Sequence, residues 1–144
     1  MKKKIDSFRG EYAFLSNFYE HPFEYEGAVY PTSEHAFQAM KTKVPVEREF
    51  IRTASTTSAA KKLGRMCTLR KEWNASRGRY MRAVLWEKFR DPELRKKLLA
   101  TGDAYLEEGN TWGDTYWGVC KGVGSNILGK LLMDIRDTIR KEIS

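Results

Sequence analysis

Phe23-Glu-Tyr-Glu-Gly-Ala-Val-Tyr-Pro-Thr-Ser-Glu-His-Ala-Phe-Gln-Ala-Met-Lys41, FEYEGAVYPTSEHAFQAMK, changes its period half-way along. Up to Tyr30, aromatic and polar residues alternate around Glu26-Gly27, where glycine supplies the positive φ of a tight hairpin turn. From Pro31 the alternation stops. Thr32 or Ser33 can cap the free amides of a helix that carries Phe37 and Met40, three apart, toward a core. A hairpin delivering the chain directly into a helix sets the expected class: α+β, mainly helical, with a small N-terminal β-hairpin or sheet.

The flanking sequence extends that pattern. Upstream, Tyr12, Phe14 and Leu15 predict another short strand before Ser16-Asn17-Phe18. Downstream, Pro45 ends the first helix because a proline disfavours helical geometry in its predecessor. A second helix is predicted from Val46 to about Ala54, and a third is capped by Thr57 and ends at Gly64. Asn74 to Phe89 reads as a long helix with Met81, Val84, Leu85 and Phe89 on one stripe. Asp91-Pro92 is a cap and first-position pair for a helix through Leu99. Asn126 caps a terminal helix whose apolar face holds Leu128, Leu131, Leu132, Ile135 and Ile139. Between the last two helices, residues 110–126 carry Trp112, Tyr116, Trp117 and the glycines 113, 118, 122 and 124 without any period. A long shaped loop of this kind is more often functional than incidental.

The chain of 144 residues is expected to form a single domain over 1–144. No apolar run is long enough to span a bilayer, and the basic start, Met-Lys-Lys-Lys, has no apolar stretch behind it. The expectation is therefore a soluble, cytoplasmic protein, a monomer or weak oligomer with no membrane partner. Cys67 and Cys120, far apart, are expected as free thiols. His21 and His35 stand fourteen positions apart with no acid or cysteine cluster at zinc spacing, so no metal site is expected. A net charge of +7 suits phosphate-rich ligands and also occurs on proteins that bind none.

Glu34 carries the central question. In the first turn of a helix a carboxylate is favoured by the macrodipole, a role that needs no chemistry. The aromatic hairpin beside it also supplies an apolar wall, which suits a carboxyl that donates a proton or faces oxocarbenium-like charge. His35 points about 100° away around the helix and is expected to support structure. Trp73, in Arg70-Lys-Glu-Trp, either fills the core or stacks on a planar base beside phosphates. Trp117, three residues after Asp114 in a glycine-framed loop, has the same ambiguity and favours a ligand site. The glycines leading into Asn126 could present helix-terminal amides to a phosphate.

Five segments in this order resemble one family: Gly10-Glu-Tyr-Ala-Phe-Leu-Ser-Asn-Phe18, Tyr30-Pro-Thr-Ser-Glu-His-Ala-Phe-Gln-Ala-Met-Lys41, Arg70-Lys-Glu-Trp73, Asp114-Thr-Tyr-Trp-Gly118 and Gly124-Ser-Asn-Ile-Leu-Gly129. Together they are similar to the NADAR family, the YbiA-like N-glycosidases, over nearly the whole chain. The resemblance implies cofactor-free hydrolysis of a ribose–base N-glycosidic bond. The substrate would be a phosphorylated riboflavin-biosynthesis intermediate or an ADP-ribosylated nucleobase or nucleic acid. It also implies Glu34 as the catalytic acid of the S-E-H motif, and Asp114, Tyr116, Trp117 and Gly118 as the D-x-Y-W-G pocket, with Asp114 touching sugar hydroxyls or assisting the water. Trp73 matches the base-side tryptophan and Asn17 the asparagine of S-N-F. Arg9, Lys41 and Lys121 flank these motifs and are expected to meet phosphates. Val119-Cys120-Lys121 departs from members that are more acidic or glycine-rich there. The competing reading is a non-catalytic ADP-ribose or nucleic-acid-binding module, against which the sequence offers no recognisable RNA-binding aromatic motif, helix-turn-helix or basic arm.

Overall fold

A computed structural model describes residues 3–143; the first two residues of the basic start lie outside it. In chain order the elements are β1 (Lys4–Ile5), a 3-10 helix (Gly10–Leu15), β2 (Phe23–Tyr25), β3 (Ala28–Tyr30), α1 (Ser33–Ala39), α2 (Pro45–Arg52), α3 (Thr57–Met66), α4 (Trp73–Lys88), α5 (Pro92–Ala100), β4 (Tyr105–Leu106), β5 (Gly109–Asn110), β6 (Val119–Cys120) and α6 (Ile127–Ile143). The class is α+β and mainly helical, as expected. Contacts group the chain into two units, Asn17–Lys88 and the segments on either side of it. No helix among the described residues is long and apolar enough to cross a membrane.

In the Asn17–Lys88 unit, β2 and β3 form the hairpin with Phe23 opposite Tyr30, Glu24 opposite Val29 and Tyr25 opposite Ala28. Its two-residue turn takes positive φ at both Glu26 and Gly27, the geometry whose twist matches that of paired strands. Phe23, Tyr25 and Tyr30 face inward. Thr32 then caps α1, its hydroxyl accepting from the His35 amide at 3.1 Å. Every residue of α1 is buried, because α2, α3 and α4 all pack on it. The cap of α3 is Thr56, which accepts from Ala59, and the helix runs past Gly64 to Met66. Gly64 does not end the helix: it lies against the Gln38 amide, where a β-carbon would clash.

In the other unit, β1 pairs in parallel with β4 and β5 with β6. Asp91 caps α5, accepting from Leu94 at 3.0 Å, with Pro92 at the first position. α6 buries Leu128, Leu132, Ile135 and Ile139. Two expectations fail here. The strand predicted at Tyr12–Leu15 is a 3-10 helix, since Phe14 and Leu15 are consecutive and both buried, which an alternating strand forbids. Asn126 has φ +52, and its side chain, lying against Gly129, accepts from Glu108 N and donates to the Leu106 carbonyl in place of accepting from an α6 amide. Cys67 and Cys120 are free, as expected.

Candidate active site

Glu34 owes its position to the segment that precedes it. Asn17 receives both the Glu34 amide (3.0 Å) and the Ser33 hydroxyl, the latter on its side-chain oxygen at 2.8 Å. The Asn17 amide nitrogen points at Met81 Sδ, 3.5 Å away on α4. The S-N-F segment is therefore pinned between the start of α1 and the buried face of α4, and it fixes the backbone from which Glu34 projects. The carboxylate is buried, 8% exposed, and its Oε2 accepts from Gln38 Nε2 at 2.9 Å. A carboxylate bonded one turn along its own helix has a defined orientation, which lets it act at one point in space.

His35 points elsewhere, as its place on the helix demands. Its Nε2 meets the Ala54 carbonyl at 3.0 Å and its Nδ1 meets Thr32 Oγ1 at 2.8 Å. A carbonyl only accepts, so the hydrogen sits on Nε2, and the ring ties the start of α1 to the end of α2. Lys41, half-buried, follows α1. Burial lowers its pKa, and the negative charge of Glu34 opposes that effect, so the ammonium lies within the carboxylate's field. Trp73 is buried, with Phe37 at 5.2 Å between ring centroids and Tyr80 stacked at 5.6 Å.

In the other unit, Asp114 is a loop pin. Its Oδ1 accepts from the amides of Tyr116 (3.1 Å) and Trp117 (2.9 Å), while Asn110 grips the Asp114 backbone at both its N–H and its carbonyl. That turn presents Tyr116 and Trp117 edge to face, 4.7 Å between centroids, both half-buried. Gly118 is buried because a β-carbon there would strike the Glu108 carbonyl. The amides of Asn126, Ile127 and Leu128 donate to the carbonyls of Gly118, Tyr116 and Trp117. The amides at the start of α6 are thus occupied by the D-T-Y-W-G loop itself, which overturns the expectation that they receive a phosphate. Arg9 and Lys121 are exposed.

Residues 6–140 match the NADAR domain. The chain belongs to the NADAR family. It is 42% identical over 136 residues to N-glycosidase YbiA of Escherichia coli strain K12, covering 92% of this chain and 84% of that one. It is 36% identical to N-glycosidase Npun_R5314 of Nostoc punctiforme, over 92% of this chain and 89% of the relative. A third relative, the riboflavin biosynthesis protein VVA0006 of Vibrio vulnificus, is 34% identical over 90% of this chain and 36% of its own length. The NMR structure of E. coli YbiA superposes with a TM-score of 0.87 at 40% identity, over 99% of this chain and 88% of the other.

Two residues of this NADAR chain escaped the reading of its sequence. Gln38 is one; its position, four residues after Glu34, is the spacing that places two side chains together on a helix. Lys88 is the other. It is 1% exposed, with Nζ 5.8 Å from the Tyr19 ring centroid, and burial pulls its pKa down to about 7. It continues the stripe Met81, Val84, Leu85 at helical spacing, so the register alone placed a lysine on the buried face. Burial disfavours the charged form, so this amine gives up its proton more readily than an exposed lysine.

Proposed function

We propose that Glu34 is the carboxylate that works at the anomeric carbon in hydrolysis of a ribose–base N-glycosidic bond. As a NADAR N-glycosidase, the chain is a hydrolase acting on N-glycosyl bonds. The observation that carries the assignment to Glu34 is its combination of burial with a fixed orientation: one oxygen is held by Gln38, and the backbone is anchored on Asn17. A carboxylate used only to complement a helix dipole needs no such support, because an exposed one already gains about 0.3–1 kcal/mol from it. Low polarity around it strengthens its interaction with the positive charge that develops on the sugar as the base departs. The same burial suits a proton donor to the leaving nitrogen.

Around this centre, Asn17 acts as a positioning residue, Lys41 supplies a cation toward a substrate phosphate, and Trp73 forms an apolar wall. On the D-T-Y-W-G loop, the second carboxylate oxygen of Asp114 is assigned to sugar hydroxyls or the attacking water, and Tyr116 and Trp117 to the base. Gly118 allows the close chain approach that sets the loop, and Arg9 and Lys121 are assigned to phosphates. No cofactor enters this chemistry.

Two substrates follow from two observations. The name of the Vibrio relative favours a phosphorylated ribosylamino-pyrimidine of riboflavin synthesis. The net charge of +7 favours an ADP-ribosylated nucleobase in nucleic acid. The test incubates the protein with each substrate separately and measures released base and sugar by mass spectrometry. Wild type is expected to cleave at least one of them, and Glu34→Gln, which keeps the shape and removes the titratable group, should lose at least ~10²-fold in turnover with folding intact. Near-normal turnover of the variant rejects Glu34, while intact binding without cleavage by wild type of either substrate favours a non-catalytic reader.

A further inference from the structure

At the other end of α1 lies a cleft of about 600 Å3, lined in part by the Arg70-Lys-Glu stretch that precedes Trp73. Its wall is the segment between α3 and α4, Ser76, Arg79 and Tyr80 of α4, and Lys43 and Val44, and it belongs wholly to the Asn17–Lys88 unit. Four cations line it, Lys43, Arg70, Lys71 and Arg79, against one acid, Glu72. Three of the four, Lys43, Lys71 and Arg79, are exposed, and none of the three is in an ion pair with an acid among the described residues. Cations left unpaired around a concavity keep their full field for a ligand.

The fourth is built in. Arg70 Nε donates to the Met40 carbonyl at 2.7 Å, its Nη1 donates to Tyr80 Oη at 2.6 Å, and its guanidinium lies 4.5 Å from the Tyr80 ring centroid. Tyr80 is in turn stacked on Trp73, which is packed against Phe37 of α1. A guanidinium braced by a carbonyl, a phenol and a ring has already lost the freedom that ligand binding would otherwise remove. It also offers the planar donor geometry that matches phosphate oxygens. The volume falls within the roughly 300–1,000 Å3 typical of small-ligand sites. Arg70 is held at Met40, whereas Glu34 sits in the first turn of α1, about 9 Å earlier along the axis at ~1.5 Å per residue.

We propose that this cleft, whose cations the Glu34 assignment does not use, is a phosphate-ester binding site which holds consecutive phosphates of a nucleotide or of a single-stranded nucleic acid. One fixed guanidinium seats one phosphate, and the mobile cations at the rim neutralise its neighbours. The inference does not depend on the glycosidase reading, since a ligand without a scissile bond tests it.

The experiment measures binding of fluorescein-labelled dT12 and of ADP-ribose to wild type and to the triple variant Lys43→Ala, Lys71→Ala, Arg79→Ala, with circular dichroism to confirm that both are folded. All three replaced side chains are exposed, and Arg70 is left in place because it supports Met40. With four phosphates neutralised, one by Arg70 and three by the rim cations, dT12 affinity should fall with salt at a logarithmic slope of about −3, some ~50-fold between 50 and 200 mM. The triple variant should lose most of that slope and at least ~10-fold in affinity at the lower salt. Loss for dT12 assigns the cleft to a strand, and loss for ADP-ribose alone assigns it to a nucleotide diphosphate. Unchanged binding of both ligands in the folded variant, or no binding of either by wild type, overturns the proposal.

Discussion

Gln38 is held from two sides: its amide nitrogen donates to Glu34, and its Oε1 abuts Gly64, buried and without a hydrogen-bond partner among the described residues. An unpaired buried oxygen costs free energy, and here that cost accompanies an amide whose NH2 is directed at the carboxylate. Replacing Gln38 with Leu keeps the bulk and removes the donor. Turnover should fall about 10-fold or more, the scale of a hydrogen bond to a charged group worth roughly 1.5–3 kcal/mol. A packing residue alone would alter stability but leave the pH profile in place. Loss of a donor to the charged form should instead move the carboxylate limb of the rate profile to higher pH. Gly64→Ala makes the same point from outside the site, because the added methyl displaces Gln38 and should reproduce the direction of both changes. An unaltered pH profile in Gln38→Leu would assign Gln38 to packing only.

The element that most needs its particular sequence is the D-T-Y-W-G turn with the start of α6. Asp114 Oδ1 holds two amides, and the turn's carbonyls receive the first amides of the helix. Asp114→Ala removes both of the former bonds and should cost about 0.5–2 kcal/mol, the range for losing a capping side chain, seen as a lower urea midpoint. Asp114→Asn retains an acceptor at Oδ1 and should keep the midpoint. If the carboxylate also serves the sugar or the water, this variant loses turnover while remaining as stable as wild type. Equal turnover would restrict Asp114 to holding the loop. Gly118→Ala should destabilise by ~1–3 kcal/mol, since the Glu108 backbone carbonyl blocks the methyl in addition to the Glu108 carboxylate, and the carbonyl cannot swing aside.

These elements show how far local sequence reaches. Thr32, Asp91-Pro92 and Glu26-Gly27 act through neighbours within four residues, so their caps and turn were readable. Asn126 failed as a cap because its partners, Leu106 and Glu108, lie about twenty residues upstream. Gly64 was read as a stop because only α1 packed beside it shows that it is a close approach. The carboxylate of Glu34 was legible through its motif, whereas the support from Asn17 and Gln38 and the basic cleft near Tyr80 depend on tertiary neighbours.

At the scale of the whole molecule, a fully buried lysine is a burden that the rest of the fold must carry. In the unfolded chain Lys88 titrates at its ordinary value of 10.5, and in the native state burial brings this to about 7. Between those values the unfolded state holds a proton that the native state has released, so native stability rises as pH rises through this window. Below about pH 7 both states are protonated, and this contribution to stability no longer changes with pH. Lys88→Met removes the titration while keeping an unbranched apolar stem. In urea unfolding at pH 6, 7, 8 and 9, the stability of the variant relative to wild type should be greatest at pH 6 and should fall as pH increases. The limiting rate is ~1.4 kcal/mol per pH unit, that of one proton. All other titrating groups are common to both proteins and largely cancel in the difference. A gap that stays constant from pH 6 to 9 would mean that Lys88 keeps its proton in the native state throughout. A gap that closes shows an amine discharged near neutrality, and a fold that keeps such an amine at a cost in stability gives a reason to measure turnover of the same variant.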